Sequence, residues 1–147
     1  MMTTIAKRFT FDAAHRVPTM PEGHKCRRMH GHTYEVEIVL RGHVPASGIL
    51  LDYGDIAEAW RPIGEALDHR TLNDIPGLEV PTTEVLVGWI IRRIRDEADW
   101  MGKDRDPQVA AVIAVWTLLH SIRIKESSTT WCEMSKVEFL AFCGDMS

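Results

Sequence analysis

Two segments of the chain alternate between apolar and polar positions. Over residues 7–15, Phe9, Phe11, Ala13 and His15 fall on one parity. Over residues 30–41, His32, Tyr34, Val36, Ile38 and Leu40 share one face, and Thr33, Glu35, Glu37 and Arg41 share the other. A period of two residues marks a half-buried strand. The pattern predicts two strands paired antiparallel, joined by a loop that holds Pro18, Pro21 and Gly23. The period then lengthens. Ile56, Trp60, Ile63 and Leu67 recur at helical spacing, which predicts a helix over 52–67 with Asp52 as N-cap. Pro62 is expected to kink or split it.

Beyond the Pro76-Gly77 break, Thr82 or Thr83 caps a second predicted helix, with Leu86, Trp89 or Ile90, and Ile94 inward. A charged stretch at 99–107 interrupts the pattern. Residues 109–119 are apolar apart from Thr117, and periodicity does not separate strand from helix there. Residues 121–126 alternate again, and a last strand is expected over 131–139. The order β-β-α-α-β-β points to an α+β domain with helices on one face of an antiparallel sheet.

Composition narrows the function classes. A chain of 147 residues is one domain's worth, and no internal repeat divides it. The net charge of −4 and the lack of a long basic run argue against a nucleic-acid or membrane-surface partner. The first residues lack the apolar core of a signal peptide, and the 109–119 run is too short to span a bilayer. Cys26, Cys132 and Cys143 read as reduced thiols, which places the chain in the cytoplasm.

The chemistry concentrates in His30-Gly31-His32. Residues i and i+2 of a strand point to one face, so both imidazoles aim toward the buried side. His15 sits on the buried parity of the neighbouring strand. Three histidines leave the fourth position of tetrahedral Zn²⁺ open, as in catalytic sites. Cys26, four residues before His30, is either a fourth, structural ligand or a nearby nucleophile or base. Lys25, Arg27 and Arg28 surround it; positive neighbours favour a thiolate and attract an anionic substrate such as a phosphate ester. Asp68-His69 is an acid–base pair if the two side chains touch, and a surface pair otherwise. Glu126 shares the parity of Ile122 and Ile124, so it faces a ligand or cation on the apolar side, or water at a frayed strand end.

These pieces together resemble the 6-pyruvoyltetrahydropterin synthase family. The likeness rests on Phe9-Thr10-Phe11-Asp12-Ala13-Ala14-His15-Arg16, Pro21-Glu22-Gly23-His24-Lys25-Cys26, His30-Gly31-His32, Leu67-Asp68-His69, Leu72-Asn73-Asp74-Ile75-Pro76-Gly77-Leu78-Glu79, Pro81-Thr82-Thr83-Glu84 and Lys125-Glu126. Three residues between Cys26 and His30 match the bacterial queuosine-pathway branch. The resemblance implies the tunnelling fold: a four-stranded antiparallel sheet with two helices on one face. It implies a homo-hexamer, a dimer of trimers, with active sites between subunits. His15, His30 and His32 are then the zinc ligands. Cys26, Asp68, His69 and Glu126 form the catalytic set, with Cys26 as proton acceptor, Asp68 and His69 as its relay, and Glu126 also anchoring the pterin's amino-pyrimidine edge. Thr82 and Thr83 complete the pterin pocket, and Lys25 and Arg27 meet the phosphates.

The implied substrate is 7,8-dihydroneopterin triphosphate, and the products are 6-carboxytetrahydropterin, acetaldehyde and triphosphate. The alternative is the pyruvoyl reaction, which eliminates triphosphate and keeps the side chain. A jelly-roll oxygenase, also built on H-x-H, and a non-catalytic zinc protein are rivals from other classes. Residues 99–118 exceed the family's usual length; a longer hairpin, an added helix or an altered subunit contact fits that excess.

Overall fold

The computed structural model describes residues 1–101 and 107–144. Strand β1 (Met2–His15) pairs antiparallel with β2 (His30–His43), in register from Met2 opposite His43 to His15 opposite His30. Strand β4 (Leu119–Lys125) pairs with the other edge of β2, and β5 (Trp131–Ser135) pairs with β4. The two-residue β3 (Arg70–Thr71) lies parallel to β1 at Ala13 and Ala14, giving the order β3-β1-β2-β4-β5. The sheet is thus five-stranded and mixed, not four-stranded and purely antiparallel. The difference is a strand too short to show a period.

The alternation sorts the two faces. Phe11, Tyr34, Val36, Ile38, Leu40, Ile122 and Ile124 are buried on one side. The other side carries a lattice of ion pairs: Arg8 to Glu35 at 3.1 Å, Lys125 to Glu35 at 2.9 Å, and Arg123 to Glu133 at 3.0 Å. Such solvent-accessible pairs contribute little to stability.

Helix α1 (Tyr53–Leu67) starts where the Asp52 carboxylate accepts from the Gly54 N–H, and it buries Ile56, Trp60, Ile63 and Leu67. It runs unbroken through Pro62. The N–H that proline lacks would have met the carbonyl of Glu58, an exposed residue. Thr82 caps α2 (Thr83–Met101), its hydroxyl accepting from the Val85 N–H. The ambiguous apolar run is helix α3 (Pro107–Leu118), which packs against α1 and α2 and passes directly into β4. Of the long 99–118 segment, residues 102–106 lie outside the described residues, and the remainder is an added helix and the end of α2.

The strand expected over 131–139 stops at Ser135, and helix α4 (Lys136–Gly144) follows. Ser135 and Glu138 cap reciprocally: the Ser135 hydroxyl accepts from the Glu138 N–H at 3.1 Å, and Glu138 accepts from the Ser135 N–H at 2.8 Å. Phe139 then enters the core. The described residues therefore hold four helices, not two. Among them, no helix is long and apolar enough to cross a membrane.

Candidate metal centre and active site

The β1–β2 register places His15 opposite His30 and His32 opposite Ala13, so three imidazoles meet at one end of the hairpin. Their ring centroids lie 4.5, 5.0 and 5.1 Å apart. One donor atom from each falls within 4.8 Å of the others. Cys26 is outside that group.

The hydrogen bonds set the tautomers. His15 Nδ1 is 2.8 Å from the Pro81 carbonyl, and His30 Nδ1 is 2.7 Å from the Arg28 carbonyl. A carbonyl only accepts, so both Nδ1 atoms donate and both Nε2 atoms present lone pairs. Those Nε2 atoms face each other at 3.0 Å. Lone pairs so close repel unless a proton or a cation lies between them. The pKa of His15 sits below its ordinary value, chiefly because burial disfavours the imidazolium; the Pro81 carbonyl works against this, and His30 and His32 add to it. A neutral ring anchored through its far nitrogen is the state a metal ligand needs. The donor set fits Zn²⁺ with an open coordination position.

The histidines border a cavity of about 660 Å³. Lys25, Cys26, Thr82, Thr83 and Glu126 line it too. Glu126 is half-buried just past the end of β4. Its charge reaches His15 and the fully buried Tyr34, whose phenol is held neutral by burial first and by Glu126 second. Arg27 does not line the cavity; Arg28 does. A short 3-10 turn over Lys25–Arg27 separates the directions of these neighbours, and its course is not visible in a loop's composition. Glu84 and Thr130 also line the cavity. Glu84 carried a signal in sequence, since it falls in the first turn of a helix capped by the expected Thr82.

Asp68 and His69 do touch. His69 Nδ1 is 2.8 Å from Asp68 Oδ2, and the other Asp68 oxygen accepts from the Asp12 N–H at 2.9 Å. These bonds lower the pKa of Asp68, the Asp12 contribution being the larger. His69 adopts a positive φ of 55°, a left-handed conformation uncommon for residues other than glycine. Its N–H donates to the Asp12 carbonyl at 2.6 Å. His69 borders a second cavity of about 530 Å³, lined also by Asp12, Gly31 and Thr33. Within one chain, Cys26 and His69 line different cavities, and His32 borders both.

With this geometry in place, the chain matches the 6-pyruvoyl tetrahydropterin synthase family over residues 4–137. It belongs to that family. It is 33% identical over 135 residues to the 6-carboxy-5,6,7,8-tetrahydropterin synthase of Synechocystis sp., covering 88% of this chain and 90% of that protein. The Haemophilus influenzae protein of the same name is 25% identical over 146 residues, covering 90% and 98%. A Pyrococcus furiosus protein named dihydroneopterin monophosphate aldolase is 36% identical over 95 residues, 65% of this chain and 77% of that one. The structure of Caenorhabditis elegans 6-pyruvoyl tetrahydropterin synthase superposes with a TM-score of 0.73 at 20% identity, covering 92% and 96% of the two chains. The fold is therefore the tunnelling fold, here with an extra short strand and two further helices. Among the described residues the strands form one open sheet, not the paired sheets that a jelly roll requires.

Proposed function

We propose that this protein is a zinc-dependent 6-carboxytetrahydropterin synthase. It acts on 7,8-dihydroneopterin triphosphate and releases 6-carboxytetrahydropterin, acetaldehyde and triphosphate, within queuosine biosynthesis in the cytoplasm. The observation that carries the reading is the convergence of His15, His30 and His32 in one cavity with Cys26 and Glu126. The names of the Synechocystis and Haemophilus relatives support the choice of reaction.

His15, His30 and His32 would hold Zn²⁺, which would supply Lewis-acid polarisation of the substrate's side chain. Glu126 accepts two N–H bonds from the amino-pyrimidine edge, and Thr82 and Thr83 close the pocket around the ring. Lys25 and Arg28, both on the cavity wall, meet the phosphates, while Arg27 adds its charge to the loop. The Cys26 thiolate takes the proton from the side-chain carbon. His69, oriented by the ionised Asp68, returns a proton, and triphosphate leaves by elimination. A retro-aldol-type cleavage with water then frees the two-carbon fragment. We assign Asp68 and His69 to the site of a neighbouring subunit in a dimer of trimers. Two features support this: His69 borders a different cavity from Cys26, and among the described residues β1 pairs with β3 only at Ala13 and Ala14, leaving most of that sheet edge open.

Metal removal tests the zinc requirement. Chelation should abolish turnover, and one equivalent of Zn²⁺ per chain should restore it. His32→Ala should hold no zinc by elemental analysis. Full activity in metal-free protein, or full zinc content in His32→Ala, refutes the proposal.

A further inference from the structure

We propose that His24 is a positioning residue for Cys26, its neutral imidazole capping the turn that presents the thiol. This rests on the reading of Cys26 as proton acceptor. The turn spans only Lys25–Arg27 and buries none of its residues, so packing does little to hold it. Hydrogen bonds hold it instead. The Cys26 N–H donates to His24 Nδ1 at 3.1 Å, and the Cys26 carbonyl accepts from the Val17 N–H at 2.7 Å. The Arg27 N–H donates to the His24 carbonyl at 3.0 Å. His24 itself is extended, with φ −65° and ψ 137°, and its N–H donates to the Pro21 carbonyl at 3.1 Å. It thus stands at the N-cap position, where a side-chain acceptor satisfies an otherwise unpaired amide.

The acceptor used here is unusual. Serine, threonine, aspartate and asparagine are the common caps. A nitrogen that accepts carries no hydrogen, so the His24 proton resides on Nε2 and the ring is uncharged. The ring therefore fixes the Cys26 backbone without placing a negative charge two residues from the thiol. An aspartate would cap as well and would oppose the thiolate by like-charge repulsion. His24 does not line the 660 Å³ cavity, so it acts through Cys26 and not on the substrate.

Three variants of the zinc-loaded protein separate these contributions: His24→Asn, His24→Asp and His24→Ala. The first readout is the rate at which iodoacetamide alkylates Cys26, followed at the peptide by mass spectrometry with Cys132 and Cys143 as internal references. The second is kcat against KM for dihydroneopterin triphosphate. His24→Ala should lower kcat about tenfold, the size of a lost cap expressed as a ratio, with KM nearly unchanged. His24→Asn, a neutral cap, should restore kcat and the Cys26 alkylation rate to near wild type. His24→Asp should leave folding intact and slow Cys26 alkylation relative to His24→Asn. The proposal is overturned if His24→Ala matches wild type in both readouts, or if His24→Asn is as impaired as His24→Ala. A wild-type protein that does not turn over the pterin would refute the reaction instead, and the alkylation series would still decide the capping role.

Discussion

Glu126 is the residue proposed to recognise the pterin ring. Its carboxylate lies in the cavity with the three histidines, close enough for its charge to act on His15 and Tyr34. A pterin edge presents two parallel donors to two acceptor oxygens. Glu126→Gln turns one acceptor into a donor, leaving a buried group unpaired at a cost of about 1–3 kcal/mol. Pterin affinity should fall at least about tenfold. Zinc content should stay at wild type, since Glu126 is not among the converging donors. Titration calorimetry with sepiapterin measures this, and equal affinities would place Glu126 outside the recognition edge. The position of Glu126 was legible because one parity of its strand is buried, at Ile122 and Ile124. The three histidines were legible for the same reason. The second anchor of His15 on Pro81 was not, because it joins residues 66 positions apart. Nor was the contact between Asp68 and His69, which depends on the positive φ of His69 and on the Asp12 backbone.

Elements were readable where one face is buried and the other wet. Strand β2 and helix α1 have such faces, and their expected limits agree with the structure to within two residues. The α3–β4 junction was not readable. Leu118 ends the helix and Leu119 starts the strand with no glycine or proline between them, in a run that is apolar on nearly every side. The first turn of helix α4 falls in the stretch expected as strand, although Ser135-Lys136-Val137-Glu138 has the spacing of a capping box, and the box is formed.

Helix α1 also gives a test of sign. Gly64 lies inside it, and replacing an interior glycine by alanine ordinarily stabilises a helix by up to about 1 kcal/mol. Here a Cβ at position 64 would stand 2.8 Å from Trp60 Nε1 and 3.2 Å from Trp60 Cε2. The indole is buried and stacked on Phe9 at a centroid distance of 5.1 Å, so it has little room to give. Gly64→Ala should therefore destabilise the fold, by about 1–3 kcal/mol on the scale of an overpacked core. Urea unfolding checks the direction; a higher midpoint would mean that Trp60 relocates freely.

At the scale of the whole molecule, one chain does not bring Cys26 and His69 into one cavity. If the dyad serves a neighbouring subunit, Cys26→Ala and His69→Ala should each be inactive, and assemblies containing both variants should recover part of the activity. Mixed assemblies no more active than their components would confine each site to one chain. The reaction itself is tested most directly by mass spectrometry of the products that the purified zinc-loaded protein forms from 7,8-dihydroneopterin triphosphate. The expected products are 6-carboxytetrahydropterin, with acetaldehyde and triphosphate in equal amounts. A pterin that has lost triphosphate but kept its three-carbon side chain, or turnover only of the corresponding monophosphate, would contradict it.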